Sequence, residues 1–402
     1  MTVRNARLAV AALFFTNGAL FANLIPRYPQ IKADLELSNS LYGLSIAAFP
    51  AGAIVAGLAA GVLIRRFGSA RVAVAGTLLT AAGVFVAGVA PAVLALAAAL
   101  FLAGAMDAVT DVAQNAHGLE VQRHYGRSII NSFHAVWSIG AVTGGAMAAG
   151  AIALDLPRAM HLGISGVLFA IVALVALRFC LPADRGEPAA VTRAAGTTRP
   201  SAGARTWLIV GALVLIAIGG AIVEDAGNSW AAVYLSGDLH AAAAVAAWGY
   251  IALVGAQFAG RLVGDRLVDR FGQRAVARAG GLVVAGGMGL ALAVPTVAGT
   301  ILGFAAAGFG VATLVPAAMH EADELPGLKP GTGLTVVSWL MRLGFLLSPP
   351  VVGAVADNAG LRTGLLVVPA AGVLVIVLAG VLQGRRTSRD RDREADSAPA
   401  LV

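Results

Sequence analysis

Charge is what this chain has least of. Only 12% of its 402 residues are Asp, Glu, Lys or Arg, against about a quarter in a soluble domain. That scarcity excludes an ordinary water-soluble fold. Cysteine is nearly missing: Cys180 stands alone, so no disulfide can form within the chain. Cys and His do not cluster at metal-ligand spacing, and His117, His320 and Glu321 sit at helix ends without such a pattern. Gly308-Phe-Gly310 has no third glycine at dinucleotide spacing and follows no strand. No catalytic constellation, cofactor or metal is expected, and the chain does not look like an enzyme.

What is there is apolar. Hydrophobic residues make up 58% of the chain, and mean hydropathy is +0.83. Apolar runs of about 20 residues recur along the length, as in spanning helices. The alternating segments of about 10 residues that mark a membrane β-barrel are absent. The runs predict an all-α membrane protein with twelve spans, near 7–26, 41–64, 71–90, 92–116, 128–153, 159–180, 207–232, 244–264, 275–294, 296–319, 333–356 and 361–383. The first run ends at Pro26-Arg27 without a small-residue cleavage site, so it is expected to stay as a helix. Residues 181–206 lack periodicity and are rich in Arg, Ala, Pro, Gly and Thr. They are expected to link one six-helix half (1–180) to a second (207–383), with a charged, disordered tail at 384–402.

The pI near 10.3 does not indicate nucleic acid, because the basic residues lie between apolar runs. With the N-terminus inside, 23 of the 28 lysines and arginines fall on inside segments. That bias puts both termini in the cytoplasm and the protein in the cytoplasmic (inner) membrane.

The chain also repeats. Arg66-Phe67-Gly68 follows the second span and Arg270-Phe271-Gly272 follows the eighth, at an offset of 204, about half the chain. Two six-helix halves in parallel repeat are the architecture of a large class of secondary transporters.

On these residues the chain resembles the major facilitator superfamily, whose marker is a Gly-x-Leu-x-Asp-Arg-x-Gly-Arg loop. The second copy keeps Asp269, Arg270 and Gly272, whereas Arg65 replaces the acid in the first. Within that family it looks most like a branch near the fucose permeases. Arg27-Tyr-Pro29, Asp111-Val-Ala-Gln-Asn115, His134-Ala-Val-Trp137-Ser138, Glu224 with Trp230, and Gly344 with Pro349-Pro350 carry this likeness. Fucose permeases use acidic residues in the first and fourth helices. Here the first helix has Asn17 and Asn23 but no acid. The resemblance implies alternating access, a small-molecule substrate and a monomeric carrier.

Several ionisable residues fall inside spans, where each is a functional hypothesis by default. Asp107, Asp111 and Asn115 recur every four residues and share one helix face. His134 opens the next span. Facing a cavity, Asp111 with Asp107 and His134 could carry a coupling proton; the same residues could instead form a hydrogen-bonded structural cluster. Glu224 is expected to face the cavity, and its neighbour Asp225 to lie at a helix interface or the rim. Arg342 lies near the middle of the eleventh span. Two readings stay open for it: a fork for an anionic substrate, or a standing salt bridge to Glu224, Asp225 or a fourth-span acid. Trp339 is one turn away and could stack on a substrate ring or simply pack. The expected cavity lining is Asn17, Asn23, Asn115, Glu224, Trp339 and Arg342. Arg65, Arg66, Glu120, Arg127, Asp269 and Arg270 are expected at the cytoplasmic rim, either as a charge network closing the inner side or as plain topology signals. In the fifth span Gly140-Ala141 stands where drug antiporters carry Gly-Pro. Proton-coupled uptake of a polar solute, a sugar or a carboxylate, is the leading expectation. Proton-driven efflux is the second, and a non-transporting sensor or scaffold the third.

Overall fold

The computed structural model describes residues 2–181, 203–329 and 331–383. Every expected span is helical: Val3–Asp34, Asn39–Gly57, Ser69–Gly88, Val93–Tyr125, Ile130–Ala153, Arg158–Leu177, Ala204–Gly237, Ala243–Phe271, Gln273–Ala293, Val297–Asp323, Thr332–Ala359 and Leu361–Val381. The helix Ala60–Phe67 continues the second span. Helix is forced here because an apolar bilayer offers no partner to a free backbone N–H or C=O. Large apolar side chains such as Leu94, Leu208 and Val377 stay exposed on the outside of the bundle, as a lipid-facing surface requires.

Helix ends differ from the expectation. The fourth span runs to Tyr125 and the eighth to Phe271, beyond the apolar stretches that announced them. Bilayer thickness limits the apolar run, but nothing stops a helix of good formers from continuing into water. The seventh span begins at Ala204, so the last residues of the expected linker are helical. Its remainder, and the tail, lie outside the described residues.

Several spans are broken. The first passes through a tight turn at Ile25–Arg27, where Pro26 and Pro29 each remove a backbone donor. The second is interrupted at Ala47 and again at Leu58 and Ala59, and the eleventh at Met341.

The repeat holds in three dimensions at the same offset of 204. Gly68 and Gly272 both take positive φ, 85° and 83°, with ψ 148° and 155°, a region essentially open only to glycine. The preceding Arg66 and Arg270 lie over Phe67 and Phe271, each 5.3 Å from the ring centre. A Cβ on Gly104 would sit 2.0 Å from the carbonyl oxygen of Phe49, and one on Gly308 2.0 Å from that of Leu253. Arg158 donates to the Gly88 carbonyl and Arg362 to the Leu292 carbonyl. Each of these pairs is related by the one offset, so the halves share contacts as well as topology.

The face holding the paired Arg-Phe-Gly turns is called the basic face below, and its opposite the far face. On the far face the halves are joined. The Asp357 carboxylate accepts from the Asn39 and Ser40 amides at 2.8 Å each, capping the second span where a helix dipole favours negative charge. The Tyr42 hydroxyl donates to the Ser229 carbonyl at 2.5 Å, and its ring meets Trp230 edge-on at 4.9 Å. Gly43 lies against the Pro349 carbonyl and Gly353 against that of Asn39. Toward the basic face the second and eleventh spans separate. Among the described residues no ion pair joins the halves there. The molecule is sealed at one end and open at the other.

Candidate functional site

Between the halves lies a cavity of about 300 Å³ lined by Ile54, Gly57, Leu58, Asp107, Ala108, Asp111, Val112, Trp339 and Arg342. The second and fourth spans supply one wall and the eleventh supplies the other. Its shape follows from the helix breaks. The second span is interrupted at Leu58–Ala59 and the eleventh at Met341, and Gly57 lies beneath the Arg342 guanidinium, where an added Cβ would stand 3.5 Å from Nη1.

Asp107 is held by the first span. Asn17 Nδ2 donates to its Oδ1 at 2.7 Å. The Asn17 carbonyl oxygen in turn accepts from Trp137 Nε1 at 2.8 Å and from Gln114 Nε2 at 3.4 Å. One amide thereby ties the first, fourth and fifth spans together. Asn17 is itself buried, so it positions the wall rather than forming much of it.

Asp111 is one turn nearer the basic face and is exposed to the open mouth. Asn115 Nδ2 donates to Asp111 Oδ1 at 3.0 Å, and His134 Nε2 meets Asn115 Oδ1 at 3.1 Å. Phe14 braces the His134 ring edge-on at 5.3 Å. The expected trio of Asp107, Asp111 and His134 is therefore present, but joined differently from a simple stripe. Asp107 turns to the first span, while Asp111 reaches His134 only through Asn115.

Across the cavity, Arg342 forms no ion pair among the described residues. The standing salt bridge to Glu224, Asp225 or a fourth-span acid is not made here. Instead the guanidinium shares the cavity with Asp107 and Asp111. Trp339 is 51% exposed beside it, a face available for stacking.

Glu224, expected in the cavity lining, is not among the residues that line this cavity; it is half-buried on the seventh span and accepts from Gln257 Nε2 of the eighth at 2.8 Å. Asp225 is buried and accepts from Ser229 Oγ at 3.0 Å, the interface position expected for it. Asn23 needs correction as a cavity residue. It is fully buried, donating to the Ala19 carbonyl and meeting His161 Nε2 at 2.8 Å. The turn at Pro26 carries that end of the span away from the cavity and against the sixth span. Gln114 and Gln257 were not singled out in the sequence. Each is a polar residue inside an apolar run, a signal as strong as that of Asn17.

The rim residues stand apart. Arg65, Arg66, Arg127, Asp269 and Arg270 are exposed. Glu120 lies 3.3 Å from His117 within its own half. None of them bridges the open mouth.

The comparisons with known proteins agree with this architecture. A family model described as Major Facilitator Superfamily matches residues 10–230 and again 209–401. "Uncharacterized transporter y4wD" of Sinorhizobium fredii is 30% identical over 374 residues, 93% of this chain and 97% of that protein. "Membrane protein MosC" of Rhizobium meliloti is 30% identical over 91% of this chain and 88% of its own. Among solved structures, the nucleoside transporter NupG superposes with a TM-score of 0.71 at 15% identity, covering 94% of this chain and 98% of that one. A D-xylose-proton symporter gives 0.69 at 16%, covering 96% and 98%. Matched in both halves by the family model and along nearly its whole length by a transporter at 30% identity, the chain belongs to the major facilitator superfamily of membrane transporters.

Proposed function

We propose that this transporter works by alternating access and takes up a small polar solute, a sugar or a carboxylate, with protons as the coupling ion. The basic face is then cytoplasmic, in keeping with the bias of Lys and Arg, and the sealed far face is external. The observation that carries this reading is the cavity itself. Two carboxylates from one half face an unpaired guanidinium from the other, in a space of about 300 Å³ open to one side.

Each half brings part of the binding chemistry, so a bound solute is gripped only when the halves are in register. Asp111 is the group placed to exchange a proton, because it meets the open mouth and is hydrogen-bonded toward His134 through Asn115. Arg342 offers a planar fork to a carboxylate or to vicinal hydroxyls, and Trp339 a face for a ring. When the halves rock, the basic rim closes. Arg65, Arg66 and Arg127 then approach Asp269 and Arg270, and a charge network that is absent in the open state can form.

Ligand-induced stabilisation of the purified protein identifies the solute. The panel holds sugars including D-xylose, organic acids, nucleosides and hydrophobic cations, each at pH 6 and pH 8. A ligand at about 100 times its dissociation constant adds roughly 2.7 kcal/mol. In proteoliposomes loaded with the hit, Asp111→Asn is expected to lose uphill accumulation and to keep counterflow. Intact proton-driven accumulation by that variant would overturn the reading, and hydrophobic hits alone would redirect it to export.

A further inference from the structure

A second cavity, of about 370 Å³, lies away from the central one. The eighth span lines it with Gly260, Gly264, Leu267 and Phe271, and the tenth closes its floor with Phe309, Gly310 and Thr313. The central cavity is lined by the second, fourth and eleventh spans, so the two share no wall. Ala275, Ala279 and Val283 recur every four residues along the ninth span and form the remaining side. The ninth span packs chiefly on the tenth and twelfth, which places it at the periphery of the bundle, and those three residues are exposed. The cavity is therefore a groove open to lipid. Thr313 is the only polar side chain in its lining.

At the offset of 204 the other half differs. Met106 stands where this half has Gly310, and Arg71 where it has Ala275. Met106 packs onto the cluster that includes Ala60, Val72 and Val109, the counterparts of Gly264, Val276 and Thr313. A side chain fills there what is left open here.

Length and charge together name the occupant. From Gly260 to Phe271 the groove follows about 16 Å of helix, close to half of a hydrocarbon core about 30 Å thick. One end lies at the Gly272 turn on the basic face, so the groove runs the depth of one leaflet. At that end Arg270 lies over the Phe271 ring, 5.3 Å from its centre. Arg266, Arg274 and Arg278 are on the neighbouring turns, against two acids, Asp265 and Asp269. None of these four arginines is ion-paired among the described residues. An apolar slot one leaflet deep, with unpaired guanidinium groups at its end, matches a lipid with a negative headgroup.

We propose that this groove holds an acyl chain of an anionic phospholipid from the leaflet at the basic face, with the phosphate against Arg270. The lipid takes the place that Met106 fills in the other half. The site is separate from the central cavity, so the proposed function stands whichever way the test falls. Thermal unfolding of the purified, delipidated full-length protein tests it, with dioleoylphosphatidylglycerol or dioleoylphosphatidylcholine added to the detergent. Phosphatidylglycerol is expected to raise the unfolding temperature by several degrees, and phosphatidylcholine to change it little. Ala279→Phe fills the groove and Arg270→Gln removes the headgroup contact, and both should lose the response. Arg66→Gln, at the same turn of the half whose groove is filled, should keep it. A second readout avoids a bulky substitution. Cys180 is buried, so Ala279→Cys offers one accessible thiol to an apolar maleimide. Phosphatidylglycerol at about ten times its dissociation constant should slow that labelling about tenfold. No response to phosphatidylglycerol in wild type, or an equal response to phosphatidylcholine, overturns the proposal. So does a response that survives Ala279→Phe or Arg270→Gln or is lost in Arg66→Gln, and so does labelling of Ala279→Cys at an unchanged rate.

Discussion

The two halves are one scaffold carrying two chemistries. At an offset of 204 the turns at Gly68 and Gly272, the helix contacts at Gly104 and Gly308, and the carbonyl-capping Arg158 and Arg362 coincide. The cavity residues do not. Asp107, Asp111 and Asn115 correspond to Val311, Val315 and Met319, and His134 to Ser338. Arg342 corresponds to Ser138, and Asp225 to Phe21. Positions where backbone meets backbone tolerate only the smallest residue, so they are alike in both halves. Positions that face an opening are sterically free, and there each half has its own polar set. The acids of the cavity wall belong to one half and its arginine to the other, so the charged lining of the cavity is complete only across the seam.

The comparison can be broken most severely at the shared glycines. Gly104→Val and Gly308→Val should each prevent assembly of their half, since a Cβ would stand 2.0 Å from a backbone oxygen, beyond what small shifts can relieve. Size-exclusion profiles of the purified variants check this, and a well-behaved, heat-stable variant at only one of the two sites would deny the equivalence. Next in size is the contrast between Arg342→Ala and Ser138→Ala. The first should weaken solute binding by about 2–5 kcal/mol, on the order of 100-fold, as loss of a partner in a buried charged contact does. The second should change binding little, because Ser138 donates only to the His134 carbonyl of its own helix. Titration of the identified solute separates them.

Asn17→Ala is a smaller change confined to one half. It leaves Asp107 and Trp137 each without a hydrogen-bond partner, at about 1–3 kcal/mol per orphaned group, and should lower the unfolding temperature and weaken transport together. Ala221, its equivalent by the repeat, packs against Gly344 and is fully buried, so Ala221→Asn should destabilise by crowding and by the amide it buries, and not by loss of an existing hydrogen bond. The smallest effects are expected at Arg158→Gln and Arg362→Gln. Each loses a charged hydrogen bond to a carbonyl, about 1.5–3 kcal/mol when fully formed. Arg158 also loses its ion pair with Asp34 at 2.8 Å, which is partly exposed and adds little. Matched drops in unfolding temperature would confirm that these arginines do the same work.

Much of this was legible in the residues. The spans are written in apolar runs, because only those runs are stable in lipid. The repeat showed at Arg66-Phe67-Gly68 and Arg270-Phe271-Gly272, because a turn that needs a Gly-only backbone conformation leaves a mark in the sequence. The pairing of Arg158 with Arg362 was missed. Each appears as a lone basic residue in a loop, and its partner is a backbone carbonyl that carries no residue signature. Asn23 was misplaced because residues near a proline turn leave the periodicity of the helix before it.

The sequence alone determined that this chain is helical, that it is membrane-spanning and doubled, and that a few charges lie where lipid would not tolerate them. These follow from local physics: helix in apolar solvent, charge excluded from it, and glycine where backbone conformation demands it. Only the tertiary structure decided which of those charges meet. Whether Asp111 faces His134, Arg342 or a neighbouring helix depends on how far each span is rotated and where it breaks, and packing between helices distant in the chain sets both. The same packing sealed one face and opened the other.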